Sequence, residues 1–208
     1  MILGTHNSAT SGKLVWWQRP FSLLLRLTSR CQNKSIEEQL RDGVRLFNLQ
    51  VCRYKGEWRI SHGLCIYEEK LTDVLETLNA FNAYLGTFES FTQRRAPIII
   101  QLYLDKNFFV GQDEEAFIKL VGEIKKKYCS PKFILQIAWI EGTDRYPHKT
   151  EYKLSIEERY WSTTWAKNYG SSWIDKLPLP KRHAKRYNKG YRTACKGEYL
   201  MLDFYDYE

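Results

Sequence analysis

Two histidines and one aspartate are the residues of this sequence best suited to proton transfer. His6, His62 and Asp203 are far apart in the sequence, yet each lies at the end of a segment that reads as a β-strand. Two histidines at one site can act as a base and an acid, and a carboxylate can fix the tautomer of one ring. Spacing alone is a weak indication, because a single histidine at a strand end is more often a structural hydrogen-bonding residue.

The elements that must position these residues alternate between strands and helices. Ser35, followed three residues later by Glu38, predicts a helix that begins with a capping box. The predicted strands cover residues 1–4, 44–52, 58–61, 97–104, 132–140 and 198–204, and the predicted helices cover residues 20–27, 35–42, 71–85 and 113–128. Nearly apolar strands are typical of parallel sheets, so the pattern predicts a parallel α/β fold. In a parallel barrel the C-terminal strand ends share one face, where active sites lie.

Composition limits the class of protein and its partners. The 208 residues suffice for a single sizeable domain, residues 1–208, and the net charge of +8 favours an anionic partner if it does more than keep the protein soluble. Five widely spaced cysteines without a Cys-x-x-Cys motif predict reduced thiols rather than a disulfide framework or a zinc site. The longest apolar stretch is broken by charged residues, which predicts neither a signal peptide nor a membrane-spanning helix. A cytoplasmic protein is the simplest expectation.

Several motifs resemble those of the phosphatidylinositol-specific phospholipase C X-domain superfamily. The matching segments are Leu3-Gly-Thr-His6-Asn7-Ser8, residues 35–51, Ile60-Ser-His62-Gly63 with residues 71–75, Pro97-Ile-Ile-Ile, and Leu200-Met-Leu-Asp203-Phe-Tyr. The resemblance covers residues 2–105 and returns at 198–206. It implies phosphodiester cleavage by an irregular triosephosphate-isomerase-type (β/α) barrel, which in a chain this short can be incomplete.

The resemblance also implies catalytic roles for four residues. His6 would be the general base on the inositol 2-hydroxyl, and Asp203 would hold and polarise His6. His62 would be the general acid that protonates the departing diacylglycerol oxygen. Asn7 would lie beside His62, where bacterial relatives have Asp and calcium-dependent relatives have Asn.

The substrate-binding positions implied by the resemblance are Asn48, Gln50 and Tyr103, and all three lack charge. Calcium-dependent relatives have acidic ligands at these places, so we expect no dedicated calcium ion and no other cofactor. Metal-independent bacterial relatives have Asp, Arg and Lys there, and an amide cannot replace the charge of an arginine. Arg53 falls on the opposite strand face. The basic run Lys181–Arg186 is more typical of a solvated surface.

Other candidate sites have weaker support. His148 and His183 fall in the unassigned region 141–197 and are expected at the surface. Glycerophosphodiester phosphodiesterases use a Glu-x-Asp pair to bind metal, and Asn48-Leu-Gln50 lacks both acids. The aromatic and basic residues between Tyr146 and Tyr191 accompany no recognised nucleic-acid motif, so we expect no nucleic-acid partner.

Two hypotheses of function remain. The first is a metal-independent phospholipase C-like phosphodiesterase acting on an inositol phospholipid or a related phosphodiester, which the presence of His6, His62 and Asp203 favours. The second is a catalytically degenerate barrel that serves as a phospholipid- or phosphate-binding or structural protein. Asn48 and Gln50 favour the second, because they keep the size of the expected residues and lose their charge.

Trp16 and Trp17 have two alternative roles, peripheral contact with an anionic membrane or packing of both side chains against the barrel. Trp16 and Trp17 follow the first strand, and tryptophan prefers the membrane–water interface. Lys13, Arg19 and Arg26 flank the pair and would favour anionic lipid. Adjacent residues of a helix do not share a face, so we expect at most one of the two tryptophans to be exposed.

Overall fold

The computed structural model describes residues 2–87, 98–105, 107–128, 133–137, 179–194 and 199–207. The strands in these ranges are β1 (Ile2–Thr5), β2 (Leu46–Tyr54), β3 (Glu57–His62), β4 (Cys65–Lys70), β5 (Ile98–Leu104), β6 (Phe133–Ile137) and β7 (Tyr199–Leu202). The helices are α1 (Ser22–Ser29), α2 (Ile36–Arg41), α3 (Leu71–Thr87), α4 (Glu114–Tyr128) and α5 (Pro180–Ala194), with a 3-10 turn at Trp16–Phe21.

Five parallel strands form the centre of the sheet, in the order β6–β5–β2–β1–β7. Thr5 lies in register with both Phe47 and Leu202, so the C-terminal ends of β1 and β7 lie side by side. The sheet curls as part of a barrel, and the predicted α/β class is confirmed. The parallel arrangement brings the residues that follow β1 and β7 to the same edge of the sheet.

The far half of β2 leaves this parallel arrangement and continues into an antiparallel hairpin. A two-residue turn joins β2 to β3, and both Lys55 (φ 51°) and Gly56 (φ 81°) have the left-handed backbone that such turns require. β3 then pairs with β4, a strand that the sequence analysis did not predict. Its second half, Glu68–Lys70, is charged and only partly buried, so it lacks the apolar run typical of a buried strand.

Helices α2 and α4 begin where the sequence predicted, and each start has a side-chain cap. Ser35 accepts a hydrogen bond from the backbone of Glu38, and the Glu38 carboxylate accepts one from the backbone of Ser35, which completes the predicted capping box. At the start of α4, the Asp113 side chain accepts from the Ala116 amide at 3.1 Å. Both caps satisfy amides that a helix start leaves without a partner.

Helix α5 corrects one expectation of the sequence analysis. His183 was expected at the surface, but it is 1% exposed and lies with Ala184 and Asn188 on the buried face of the helix. The basic residues Lys181, Arg182, Lys185 and Arg186 are exposed, as predicted for a solvated run. The prediction for His183 was wrong because the buried face of this helix is narrow, and most of the residues around it in the sequence are charged.

The main hydrophobic core lies between the sheet and the helices. One position in the sheet leaves no room for a side chain, since a Cβ added to Gly4 would lie 2.9 Å from the side chain of Leu46 on the neighbouring strand. The largest core contributors include Leu40, Phe47, Leu49, Ile60, Tyr67 and Phe117. In the part of the chain described, no helix is both long and apolar enough to cross a bilayer.

Candidate active site

The loop that leaves β1 carries His6, Asn7 and Ser8 and is fixed by its neighbours. The His6 amide donates to the carbonyl of Leu202 on β7, and the Ser8 amide donates to the carbonyl of Asn48 on β2. Asn7 has a φ of 46°, a left-handed conformation that asparagine tolerates better than most residues. The two neighbouring strands therefore set the direction in which the His6 ring points.

His6 and Asp203 form a buried pair at the ends of β1 and β7. The Nδ1 atom of His6 lies 3.0 Å from Oδ1 of Asp203, and Asp203 is fully buried. Burial raises the pKa of Asp203, although the neighbouring His6 opposes that shift. Gln32 fixes the two strand ends relative to each other, because its Nε2 donates to the carbonyls of both His6 and Leu202 at 2.9 Å. With His6 Nδ1–H donating to Asp203, the ring is in the tautomer whose Nε2 atom is the acceptor, and the Asn7 amide nitrogen lies 3.3 Å from it.

His62 faces His6 from the end of β3. The two ring centroids are 6.0 Å apart and the rings are nearly perpendicular, at 86°. Nδ1 of His62 lies 2.9 Å from the carbonyl of Ser29, so Nδ1–H donates to it and Nε2 carries the lone pair. Burial, and then the nearby His6, lower the pKa of His62 to about 4. The ring is therefore neutral near pH 7 until an anion stabilises its protonated form.

The predicted convergence of His6, His62 and Asp203 is confirmed, including the contact between the aspartate and one histidine ring nitrogen. Asn7 was expected beside His62, and its side chain contacts His6 and Cys31, both of which are neighbours of His62. Its Nδ2 atom is 3.2 and 3.3 Å from the two ring nitrogens of His6 and 3.6 Å from Sγ of Cys31. The left-handed turn after His6 folds the amide back over the preceding ring.

Asn48, Gln50 and Tyr103 lie on adjacent strands, as the register of β2 and β5 shows. Asn48 is opposite Gln101, with its Nδ2 atom 3.3 Å from Oε1 of Gln101, and Gln50 is opposite Tyr103. Oδ1 of Asn48 accepts the backbone amide of Asn7 at 3.1 Å. The side chain of Asn48 therefore helps to fix the loop after β1. Gln50 and Tyr103 are only partly buried.

Cys31 is the residue near the histidines that sequence reasoning missed. It is fully buried, and its Sγ atom lies 3.7 Å from Nδ1 of His62. Burial, followed by the effect of Asp203, raises the pKa of the Cys31 thiol well above its usual range. Thr10 places the residue, because its hydroxyl oxygen accepts from the Cys31 amide at 2.9 Å. No local motif marks Cys31, since its neighbours come from three distant segments.

Arg26 is a second residue whose place the sequence did not indicate. It lies on α1, one turn before Ser29, and donates to the carbonyl of Gly12. Burial raises the pKa of Cys65 and of Tyr67, and the positive charge of Arg26 opposes part of both shifts. The hydroxyl of Tyr67 donates at 3.2 Å to Ser29, whose carbonyl also holds His62. Arg26 is thus a cation on the helix that ends at Ser29, the residue whose carbonyl accepts from His62.

The remaining candidate residues lie elsewhere. Arg53 forms a solvent-exposed ion pair with Asp113 at 2.6 Å, in agreement with its place on the opposite face of β2. Asp105, which the sequence analysis did not single out, is buried just after β5 and opposes ionisation of the Cys52 thiol. His148 lies outside the described residues.

Comparison with known proteins gives the fold a precedent. No protein-family model matches the sequence, and no curated protein matches it. Among solved structures, the chain is similar to the phosphatidylinositol-specific phospholipase C from Listeria monocytogenes, with a TM-score of 0.59, 16% identity, and coverage of 98% of this chain and 87% of that one. A mutant of the corresponding Staphylococcus aureus enzyme also has a TM-score of 0.59, at 13% identity, over 100% of this chain and 87% of its own.

A third similar structure comes from work on the modulation of membrane binding by the Staphylococcus aureus enzyme. It has a TM-score of 0.57 and 14% identity, and it covers 100% of this chain and 86% of its own. The similarity in fold extends over nearly the whole chain and includes the curled sheet. The chain therefore has the fold of the bacterial phosphatidylinositol-specific phospholipases C.

Proposed function

We propose that this protein is a metal-independent, phospholipase C-type phosphodiesterase that acts on an inositol phospholipid or a related phosphodiester. The observation that carries the proposal is the buried His6–Asp203 pair, 3.0 Å between Nδ1 and Oδ1, facing His62 across a centroid distance of 6.0 Å. A base and an acid on opposite sides of a gap of this size suit an in-line displacement at phosphorus.

In the proposed reaction, the Nε2 atoms of His6 and His62 carry out the two proton transfers. Nε2 of His6 takes the proton of a hydroxyl adjacent to the phosphate, and that oxygen attacks phosphorus. The bond from phosphorus to the lipid oxygen breaks, and protonated His62 gives its proton to that oxygen. The products are a cyclic phosphodiester and a neutral alcohol, and Asp203 stabilises the positive charge that His6 acquires.

The protonated form of His62 needs help from the substrate. The free protein favours neutral His62, because burial and His6 both lower its pKa. A bound phosphate anion beside Nε2 opposes both effects and raises that pKa, so His62 becomes an acid only when substrate is present. Arg26 adds the positive charge that Asn48 and Gln50 lack, and it attracts the phosphate to the His62 side of the site.

The deciding experiment measures release of a cyclic inositol phosphate from phosphatidylinositol vesicles in the presence of a calcium chelator. We expect release by the unmodified protein and loss of release in His6→Gln and His62→Gln, both of which keep the size of the side chain. Absence of release from folded, unmodified protein at every pH between 5 and 8 would overturn the enzymatic proposal.

A binding function is the second candidate, and the neutral Gln50–Tyr103 pair on β2 and β5 favours it. This barrel would bind an inositol phosphate through the same histidines without cleaving it efficiently. Equilibrium binding of soluble inositol phosphate, measured alongside the vesicle assay, separates the two candidates. Binding without turnover supports the second candidate, and turnover supports the first.

A membrane surface is the proposed location of the substrate, because an apolar rim borders the site. We define the apolar rim by six exposed residues, of which Leu23 is 80% and Phe108 81% exposed: Trp16, Phe21, Leu23, Leu24, Leu27 and Phe108. Most belong to the 3-10 turn and α1, and α1 ends at Ser29, whose carbonyl holds His62. Contiguous exposed apolar surface of this kind is typical of a protein or membrane contact.

A further inference from the structure

Three side chains that can bind metal ions, each of a different chemical type, meet at the buried His6–Asp203 pair. A ring nitrogen of His6, Sγ of Cys31 and a carboxylate oxygen of Asp203 lie within 4.8 Å of one another, and all three residues are buried. A thiol with an imidazole and a carboxylate is a donor set for zinc and similar ions, since calcium and magnesium bind oxygen almost exclusively. The proposed phosphodiesterase reaction makes no use of the Cys31 thiol.

The spacing of these atoms is close to what a tetrahedral ion needs. With zinc bonds of about 2.0–2.3 Å, neighbouring ligand atoms are about 3.3–3.5 Å apart. Nδ1 of His6 and Oδ1 of Asp203 are 3.0 Å apart, already near that value. Cys31 is held from both sides, because its amide donates to Thr10 and its carbonyl accepts from the Phe204 amide, so its thiol does not point here by chance.

Asn7 provides a candidate for the fourth ligand. The residue is 1% exposed, and among the described residues its Oδ1 atom is a buried acceptor without a hydrogen-bond partner. The other end of the same amide lies 3.2 Å from a His6 ring nitrogen and 3.6 Å from Sγ of Cys31. Rotating the Asn7 amide by 180° puts Oδ1 where Nδ2 now lies. Its distances to the His6 ring nitrogen and to Sγ of Cys31 then match the ligand–ligand distances of a tetrahedral site.

We propose that His6, Cys31 and Asp203, with the amide oxygen of Asn7, form a binding site for a thiophilic divalent ion such as Zn²⁺. The ion bonds to Cys31 as a thiolate and to Nδ1 of His6, so the thiol proton is released to solvent and the proton on Nδ1 moves to Nε2 of the same ring. If the chain acts as the proposed phosphodiesterase, the same ion withdraws His6 and Asp203 from proton transfer, so zinc excludes catalysis. The metal site itself does not depend on that function.

The test is metal binding without substrate, which leaves the outcome independent of the phosphodiesterase assay. A background with Cys129→Ser and Cys195→Ser removes thiols outside the described residues. Titration with Zn²⁺ should give one equivalent bound and release of about one proton. Titration with Co²⁺, a spectroscopic substitute for zinc, should give thiolate-to-cobalt charge-transfer absorption in the near ultraviolet.

Two variants assign that signal to the site. Cys31→Ser should abolish the charge-transfer absorption and raise the Kd for zinc about tenfold or more, since serine is a poor ligand. Cys52→Ser is the matched control, because Cys52 is also a buried thiol but lies on β2 beside Ser61, and it should leave both measurements unchanged. Loss of the signal in Cys52→Ser with its retention in Cys31→Ser would overturn the proposal.

A gain of affinity guards against a Cys31→Ser variant that fails to fold. Asn7→Asp puts a carboxylate at the fourth position, and aspartate tolerates the left-handed backbone that Asn7 adopts. It should lower the Kd for zinc by about tenfold, because a charged oxygen binds the ion more strongly than an amide oxygen does. Unchanged affinity in folded Asn7→Asp, or zinc bound without a thiolate signal, would show that the four side chains do not form the site.

Discussion

At the scale of single residues, the two histidines differ because different groups hold their Nδ1 atoms. Nδ1 of His6 faces the buried carboxylate of Asp203, whereas Nδ1 of His62 faces the carbonyl of Ser29 and the thiol of Cys31. Environments that separate the proton affinities of two titratable groups are typical of acid–base pairs. The proposed role of His6 as the base rests on this difference and is the role that the resemblance implies.

Replacing Asp203 tests that difference directly. Asp203→Asn keeps the size of the side chain but removes the charge that stabilises protonated His6, so we expect kcat for phosphatidylinositol cleavage to fall about 10²–10⁴-fold. Asp206→Asn is the matched control, because Asp206 lies three residues after Asp203 and its carboxylate accepts a hydrogen bond from Nδ2 of Asn33 at 3.0 Å. Steady-state kinetics with the two folded variants check the prediction, and equal losses in both would contradict it.

Arg26 is the expected source of positive charge at the phosphate. Arg26→Gln should lower kcat/KM about 10²-fold, the cost of losing one transition-state contact. Arg30→Gln is the control, since the Arg30 guanidinium donates to the backbone carbonyls of Gln32 and Asn33 on the same connection. A loss in Arg30→Gln as large as in Arg26→Gln would mean that both variants act by loosening this connection. The assay is the vesicle release measured at fixed lipid surface.

At the scale of secondary-structure elements, the sequence predicted what depends on local patterns. The capping box of α2, the tight turn at Lys55–Gly56 and the apolar strand β5 all match the structure, because each is determined by residues next to one another. The antiparallel strand β4 was missed because its second half is charged. Pairing with β3 and contact with Leu14 hold it in place, and neither is visible from its own sequence.

The site shows the same division between local and long-range information. His6, His62 and Asp203 were predictable because each follows a recognisable strand. Cys31 was not, since its position beside them depends on its amide donating to the Thr10 hydroxyl and its carbonyl accepting from the Phe204 amide, and both partners are distant in sequence. His183 was predicted wrongly for the related reason that helix α5 packs on β7, so a charged sequence hides a buried face.

Strand β4 carries a carboxyl group that opposes folding at neutral pH. Burial, with a smaller effect of Asp73, raises the pKa of Glu69 from 4.5 to about 7. The folded protein therefore keeps the Glu69 proton at pH values where the unfolded chain has lost it. This contribution to stability is constant below about pH 4.5 and is lost as the pH rises from 4.5 to 7.

Glu69→Gln should accordingly raise the free energy of unfolding by about 1–3 kcal/mol at pH 8 and change it little at pH 4.5. Glu68→Gln is the neighbouring control, because the Glu68 carboxylate lies in solvent and pairs with Arg19 at 2.7 Å. Urea unfolding of the three proteins at both pH values measures the effect. A stabilisation by Glu69→Gln that is the same at both pH values would show that ionisation of Glu69 is not its cause.

At the scale of the whole molecule, the net charge of +8 and the apolar rim both favour the proposed contact with an anionic membrane. Exposed leucines on α1 are unfavourable in water, but they become favourable when they enter the interface of a bilayer, and the positive charge increases the local concentration of anionic lipid. The rim ends where the site begins, since Ser29 closes α1 and holds His62. Docking through this rim would bring the phosphodiester of a lipid to the histidine pair without removing it from the membrane surface.

Replacement of Trp16 by alanine should affect membrane binding, whereas replacement of Trp17 should affect thermal stability. The expectation that at most one is exposed is confirmed, because Trp16 is 68% exposed while Trp17 is partly buried, donates to the Tyr54 hydroxyl at 3.0 Å and contacts Phe109. Trp16→Ala should weaken binding to anionic vesicles about tenfold, or about 1.4 kcal/mol, and leave the melting temperature unchanged. Trp17→Ala should lower the melting temperature by several degrees, since it removes packed surface and a hydrogen bond. Vesicle sedimentation and thermal unfolding measure the two effects, and a Trp16→Ala protein that binds vesicles as well as the unmodified chain would exclude Trp16 from the membrane contact.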